Sequence, residues 1–361
     1  MRVGIRCFLL CLLISLSLQT ERVAAQALIR KADATAGAVS RLALTEYYGS
    51  AIAVVVTAVR NGGGNLQLIV WGDVSDSGIT RKGDAEAGPI SEVAISDYSK
   101  GVVTAVRNGA GNLQLIAWEV LPDGKLIRRG DAVAGAVSSI ALVRSPSSPT
   151  VTKLVTVVRN GAGNLQLIVW SVSAAGTIVR EGDAVAGAVS ELAAQPEIKG
   201  VVTAVRNGSG NLQLIAWEIS PAGQISRGGD AVAGSVSTIA LPYQINTNLV
   251  TAIRNGSGNL QLIAWKVSPT QIVRIGDAAA GAVGPIAETI YDGQNLITAV
   301  GNGQGNLQLI VWSVSGSQIV RKGDANAGSV SLVAVVPIFQ WIVTAVRNGQ
   351  GNLQMIVWRV A

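Results

Sequence analysis

Apolar residues fall into short runs along this chain, separated by breaks rich in glycine and asparagine, and the same succession of runs returns again and again. Residues 89–129 show one cycle. Pro89-Ile90-Ser91-Glu92-Val93-Ala94-Ile95 mixes apolar and polar positions as a short strand does, and residues 102–107 (Val-Val-Thr-Ala-Val-Arg) form a β-branched second strand. Asn108-Gly109-Ala110-Gly111-Asn112 is a tight connection, because Asn and Gly accept positive φ. Residues 113–120 read as a third strand, Pro122-Asp123-Gly124 as a turn, and residues 125–129 as a fourth strand. The 3.6-residue period of a helix occurs nowhere in the cycle, and its glycines would break one.

The repetition is close to literal. Asn-Gly-x-Gly-Asn-Leu-Gln-Leu/Met-Ile-x-Trp occurs seven times, ending at Trp71, Trp118, Trp170, Trp217, Trp265, Trp312 and Trp358, at spacings of 46 to 52 residues. A second block, Arg-x-Gly/Ala-Asp-Ala-x-Ala-Gly, also occurs seven times, with aspartates at Asp33, Asp84, Asp131, Asp183, Asp230, Asp277 and Asp324. Periods of this size mark arrays in which one unit cannot bury its apolar surface alone. Four antiparallel strands per unit, seven times, predict an all-β, seven-bladed β-propeller over residues 26–361. The last unit stops at Val360-Ala361 without a fourth strand, while residues 27–33 align without gaps on residues 125–131 and 177–183. The N-terminal strand is thus expected to complete the last blade. The layout resembles WD40 propellers: the third strand ends in tryptophan, and Gly130-Asp131 falls where that family has Gly-His. The chain departs from the family in having no histidine and no Trp-Asp pair, so the resemblance implies architecture and carries no partner across.

Antiparallel connectivity puts the Asn-Gly-x-Gly-Asn turns and the Gly-Asp-Ala links on one face, and the variable connections between first and second strands on the other. On the repeated face an arginine ends the second strand in six units, at Arg60, Arg107, Arg159, Arg206, Arg254 and Arg347, with Gly301 in the sixth. A further arginine precedes each aspartate by three residues, as Arg81 precedes Asp84. A guanidinium suits bidentate contact with carboxylate, sulfate or phosphate. The six second-strand arginines, with Asp84, Asp131, Asp183, Asp230, Asp277 and Asp324, are therefore candidate ligand contacts. Alternatively, each aspartate pairs with an arginine to brace the link. The tryptophans are expected to pack between blades, and Gln67, Gln114 and their equivalents to bond backbone or neighbouring blades. The opposite face carries Tyr47, Tyr48, Tyr98, Tyr243 and Tyr291.

The first 25 residues differ: Arg2 and Arg6 precede an apolar stretch over residues 7–18, and Val23-Ala24-Ala25 offers small residues for cleavage. That is the pattern of a secretory signal peptide, and it predicts a secreted or periplasmic protein. Both cysteines fall inside this segment, so the remainder has neither Cys nor His. Its loss removes three arginines and one glutamate, turning the net charge of +6 into +4. No dense basic tract with interleaved aromatics points to nucleic acid, and after the signal no apolar run is long enough for a membrane helix. An outer-membrane barrel fits poorly, because the strands are nearly continuous in apolar residues rather than alternating.

Without Cys or His there is no thiol nucleophile, imidazole base or ordinary zinc site. Asn-Gly-x-Gly-Asn lacks the carboxylates of a calcium loop and is not followed by Gly-Lys-Ser/Thr, so no cofactor or metal is implied. The chemistry left is binding: a monomeric, exported, lectin-like module holding glycans, acidic ones included, through repeated weak sites. Two alternatives stand beside it, a protein-interaction scaffold using the variable face and a carboxylate-dependent hydrolase at the central channel.

Overall fold

The computed structural model describes residues 26–49, 51–145, 151–197, 199–241, 248–293 and 295–361. The expected signal peptide, Tyr243 and the Pro146–Pro149 connection lie outside the described residues. Among those described, the regular elements are twenty-one strands, every pairing antiparallel. None of them includes a helix long and apolar enough to cross a membrane.

The pairings form four-stranded groups, one per sequence repeat. In the second, the latter half of β4 (Gly78–Tyr98) pairs with β5 (Gly101–Asn108), β5 with β6 (Asn112–Val120), and β6 with the first half of β7 (Leu126–Ser145). The fourth strand of one unit and the first of the next, expected as separate strands with a link between them, are one continuous strand. β7 runs along β6 as far as Ala136, opposite Asn112, and from Val137 it pairs with the third unit at Asn160. Val137 N–H donates to Gly111 O at 3.1 Å.

Second and third strands form the buried middle of each unit, with Val102, Val103, Val106, Leu113 and Leu115 at 0–1% exposure. The first-strand halves are mostly half-buried and have one unpaired edge, while the fourth-strand halves expose alternate residues on the outer wall. Trp118 packs against Val54, Val56, Leu66 and Leu68 of the first unit, so the tryptophans fill the seams between units as expected. Each indole N–H also donates to the second-strand threonine of its own unit, Trp118 to Thr104 Oγ1 at 3.1 Å, which satisfies the one polar atom the ring buries.

The ends meet. β1 (Leu28–Tyr48) pairs with β21 (Asn352–Val360) from Leu28↔Val360 to Ala38↔Asn352, then continues into the first unit. Asp76 fastens the junction, accepting from Trp341 Nε1 at 2.8 Å and facing Lys31 at 3.0 Å and Arg359 at 3.2 Å. These donors, Trp341 first, lower its pKa to about 2.

Candidate functional site

The Asn-Gly-x-Gly-Asn turn closes on itself. Asn61 Oδ1 accepts from Gly63 N–H and Asn65 N–H, both at 3.0 Å, and Gly64 adopts φ 84°, which an L side chain resists. Gly64 also lies against the Arg60 guanidinium: a Cβ there would stand 3.0 Å from Nη2.

The second-strand arginines are half-buried, and five of the six fasten one unit to the next. Arg107 Nε donates to Val137 O, where the crossing strand enters the third unit, at 2.7 Å, and its Nη1 to Ser91 Oγ at 2.9 Å. Arg60, Arg159, Arg254 and Arg347 repeat the carbonyl bond to Ile90, Val189, Val283 and Val39 at 2.7–2.8 Å. They also bond Ser40, Ser138, Ser237 and Ser331. Arg206 keeps only the serine bond, to Ser190 at 2.9 Å, and its Nε is buried without a partner. In the sixth unit the arginine is Gly301 and the serine position is Gly284, so both halves of the contact are missing together. A depression of about 430 Å³ lies between the third and fourth units, lined by Arg159 and Arg206.

The aspartates are not on that rim. Asp84 sits mid-strand on the outer wall, opposite Ile69, several residues from the turn at Asn65. Positions three apart on a strand point to opposite faces, but a bulge at Lys82 adds one residue and turns Arg81 and Asp84 to the same side. The seven Arg–Asp contacts, which include Asp131, Asp183, Asp230, Asp277 and Asp324, measure 2.7–3.3 Å. They are solvent-exposed pairs, worth at most about 1 kcal/mol each. Third-strand glutamines join them, as Gln213 Nε2 does to Asp230 at 2.8 Å. The expected single face of arginines and aspartates is thus two rings, one at the rim and one on the outer wall.

The opposite face carries a feature that sequence reading passed over. Phe339, at the tip of the seventh unit's first hairpin, is 66% exposed and holds φ 52°. A bulky residue in left-handed backbone costs roughly 1–2 kcal/mol, and so little of this ring is buried that packing offsets little of it. Tyr48, 54% exposed, meets the ring edge-on at 5.7 Å between centroids, and Tyr291 Oη donates to Gln340 O at 3.4 Å. The hairpin tip is thus held from both sides, by the first and the sixth units. Nearer the axis, a cavity of about 500 Å³ is lined by Glu46, Asp97 and Arg144, of which Arg144 pairs with Asp97. Burial raises the Glu46 carboxyl pKa, a backbone hydrogen bond opposes the rise, and the Asp97 charge adds to it.

No protein-family model and no curated protein sequence matches the chain. Solved structures do. A chain of the crystal structure of the mitotic checkpoint complex aligns over 100% of this chain and 99% of its own, at a TM-score of 0.59 and 16% identity. The Cps50 (Swd1) β-propeller domain of Myceliophteria thermophila aligns over 93% of this chain and 100% of its own, at 0.58 and 12% identity. At such identities the likeness is one of fold. The protein is a β-propeller, WD40-like in the layout of its units, with no family identified.

Proposed function

We propose that this propeller, read as seven blades latched by its N-terminal strand, is an exported, non-enzymatic binding module that docks a protein partner on the variable face. The observation that carries the reading is Phe339: an exposed aromatic in a strained backbone conformation, at a hairpin tip that Tyr48 meets at the ring and Tyr291 at the Gln340 carbonyl. Strain kept without a packing return points to function, and a rigid exposed aromatic is the usual anchor of a protein interface. Both structural neighbours are of the same fold, and one belongs to a multi-protein complex. Export rests on the N-terminal pattern and would be checked by N-terminal sequencing of the protein recovered outside the cell.

The test is cross-linking at Phe339. A photo-reactive residue there should capture one protein from the exported fraction, and Phe339→Asn should abolish its co-purification while the melting temperature holds or rises. Asn accepts left-handed backbone and so relieves the strain. Co-purification unaffected by Phe339→Asn ends this reading of the face.

A second reading, acidic-glycan binding on the repeated face, is favoured by the depression between Arg159 and Arg206. Its contacts would be the six second-strand arginines, with the outer-wall aspartates facing neutral sugars. A glycan array with wild-type and Arg206→Ala protein separates the two readings.

A further inference from the structure

The second and fourth units are nearly the same sequence where they meet their successors. Lys100 to Arg107 and Lys199 to Arg206 are identical, as are Asn112 to Glu119 and Asn211 to Glu218. Among the positions that differ around these stretches, two meet the next unit at the seam. Tyr98, which faces Gly101 across the first hairpin, corresponds to Glu197 facing Gly200. Arg129, two residues before Asp131, corresponds to Gly228, two before Asp230.

These two changes empty the seam. Between the second and third units, Tyr98 is 1% exposed and packs in the cluster with Trp170 and Val172. Arg129 Nε donates to Glu119 Oε2 at 2.7 Å, and its Nη2 makes a second, shorter contact with the same oxygen. At the corresponding seam between the fourth and fifth units there is a cavity of about 330 Å³, walled by Val201, Ala216, Trp217 and Val267, with Glu197, Lys199 and Glu218 at its polar end. The volume falls within the range of ligand pockets, about 300–1,000 Å³. Glu218, the counterpart of Glu119, has no ion-pair or hydrogen-bond partner among the described residues. The chain cannot refill the seam with an arginine of its own: a Cβ on Gly228 would stand 1.9 Å from Pro269 O.

We propose that this cavity is a binding slot for an arginine side chain of a protein ligand, its stem on Val267 and Ala216 and its guanidinium on Glu218. The second unit supplies the template, since there the chain's own arginine makes that contact with the matching glutamate. A carboxylate takes a guanidinium through charge-assisted hydrogen bonds, and the apolar wall accommodates its methylenes. The slot lies on the face proposed above to dock a protein and rests on that reading for its biological source, but not for its chemistry.

N-acetyl-arginine amide, titrated by calorimetry against the protein covering residues 26–361, tests the chemistry directly. Saturable binding is expected, weakened at least tenfold by Glu218→Gln and unchanged by Glu119→Gln, where the slot is already filled. Glu197→Tyr, which installs the residue the second unit tolerates, should block the probe by occupying its space. Phe339→Asn should leave it unaffected, so failure of the aromatic reading and failure of the slot are separable. No saturable binding, or equal binding to wild type and Glu218→Gln, overturns the proposal. An arginine-bearing peptide that binds no better than the free amide would make the slot a small-molecule site and overturn its assignment to a protein.

Discussion

Replacing Arg107 with alanine should lower stability whether or not any ligand is present. The side chain makes two hydrogen bonds, at 2.7 Å to Val137 O and 2.9 Å to Ser91 Oγ. Bonds to a charged donor are worth about 1.5–3 kcal/mol each when buried. This guanidinium is only half-buried, so the lower end applies, and solvent recovers part of the loss. The expected cost is about 2 kcal/mol. Ser91→Ala removes one bond only and should cost about 1 kcal/mol. Because the two residues share a contact, the double variant should lose less than the sum of the single losses, by roughly 0.5–1 kcal/mol. Urea denaturation measures this as a lower midpoint at unchanged slope. A midpoint equal to that of the wild type, together with weakened binding of an anionic glycan, would refute the bracing argument. It would also return the arginines to the ligand.

Glu288 lies where the other units carry Leu44, Ile95, Leu142, Ala194 and Val335 opposite the matching threonine. Its Oε1 accepts from Ala252 N–H at 3.1 Å while Oε2 is buried without a partner. Burial raises its pKa well above the ordinary carboxylate range, and the Ala252 bond opposes only part of the rise. The unfolded chain ionises first as pH rises, so stability should fall above about pH 4.3; Glu288→Gln should stabilise the protein at pH 8 but not at pH 4, by denaturant midpoint. Deleting residues 26–35 should expose the edge of β21 and cause association or a lower melting temperature, read by light scattering and calorimetry. Gly301→Arg should destabilise, because a Cβ there meets Pro285 Cδ at 2.9 Å and the partner serine is Gly284; thermal melting checks it.

The strand plan was legible because each unit repeats its punctuation. Asn108 to Asn112 announces a tight turn through residue types that tolerate positive φ, and Gly111 takes φ 82° there. Closure was legible too, from residues 27–33 repeating a fourth strand. The continuity of β7 was not, because Ala132-Val133-Ala134-Gly135 reads as a loop by composition, whereas Ala132 and Val133 pair with Leu115 and Gln114 of β6. Nor was the separation of the arginine and aspartate rings, since a link read as a loop puts Asp84 beside the turn, whereas it pairs with Ile69 in mid-strand. Phe339 escaped because a lone exposed phenylalanine is unremarkable until its φ and its contact with Tyr48 are known.

Near-identical units carry their own controls, and the departures from them bear on function in opposite ways. Where a change is matched by a second change, as Gly301 is by Gly284, the chain has dropped both side chains of the arginine–serine contact. Where the partner remains, a charge is left over. Glu218 keeps the place of Glu119 although Arg129 has become Gly228, and its seam holds an open cavity instead of a filled one. The half-buried Glu218 has lost the arginine that answers its counterpart Glu119 in the second unit. Its persistence in the fourth unit is therefore better explained by a cation that arrives from outside the chain.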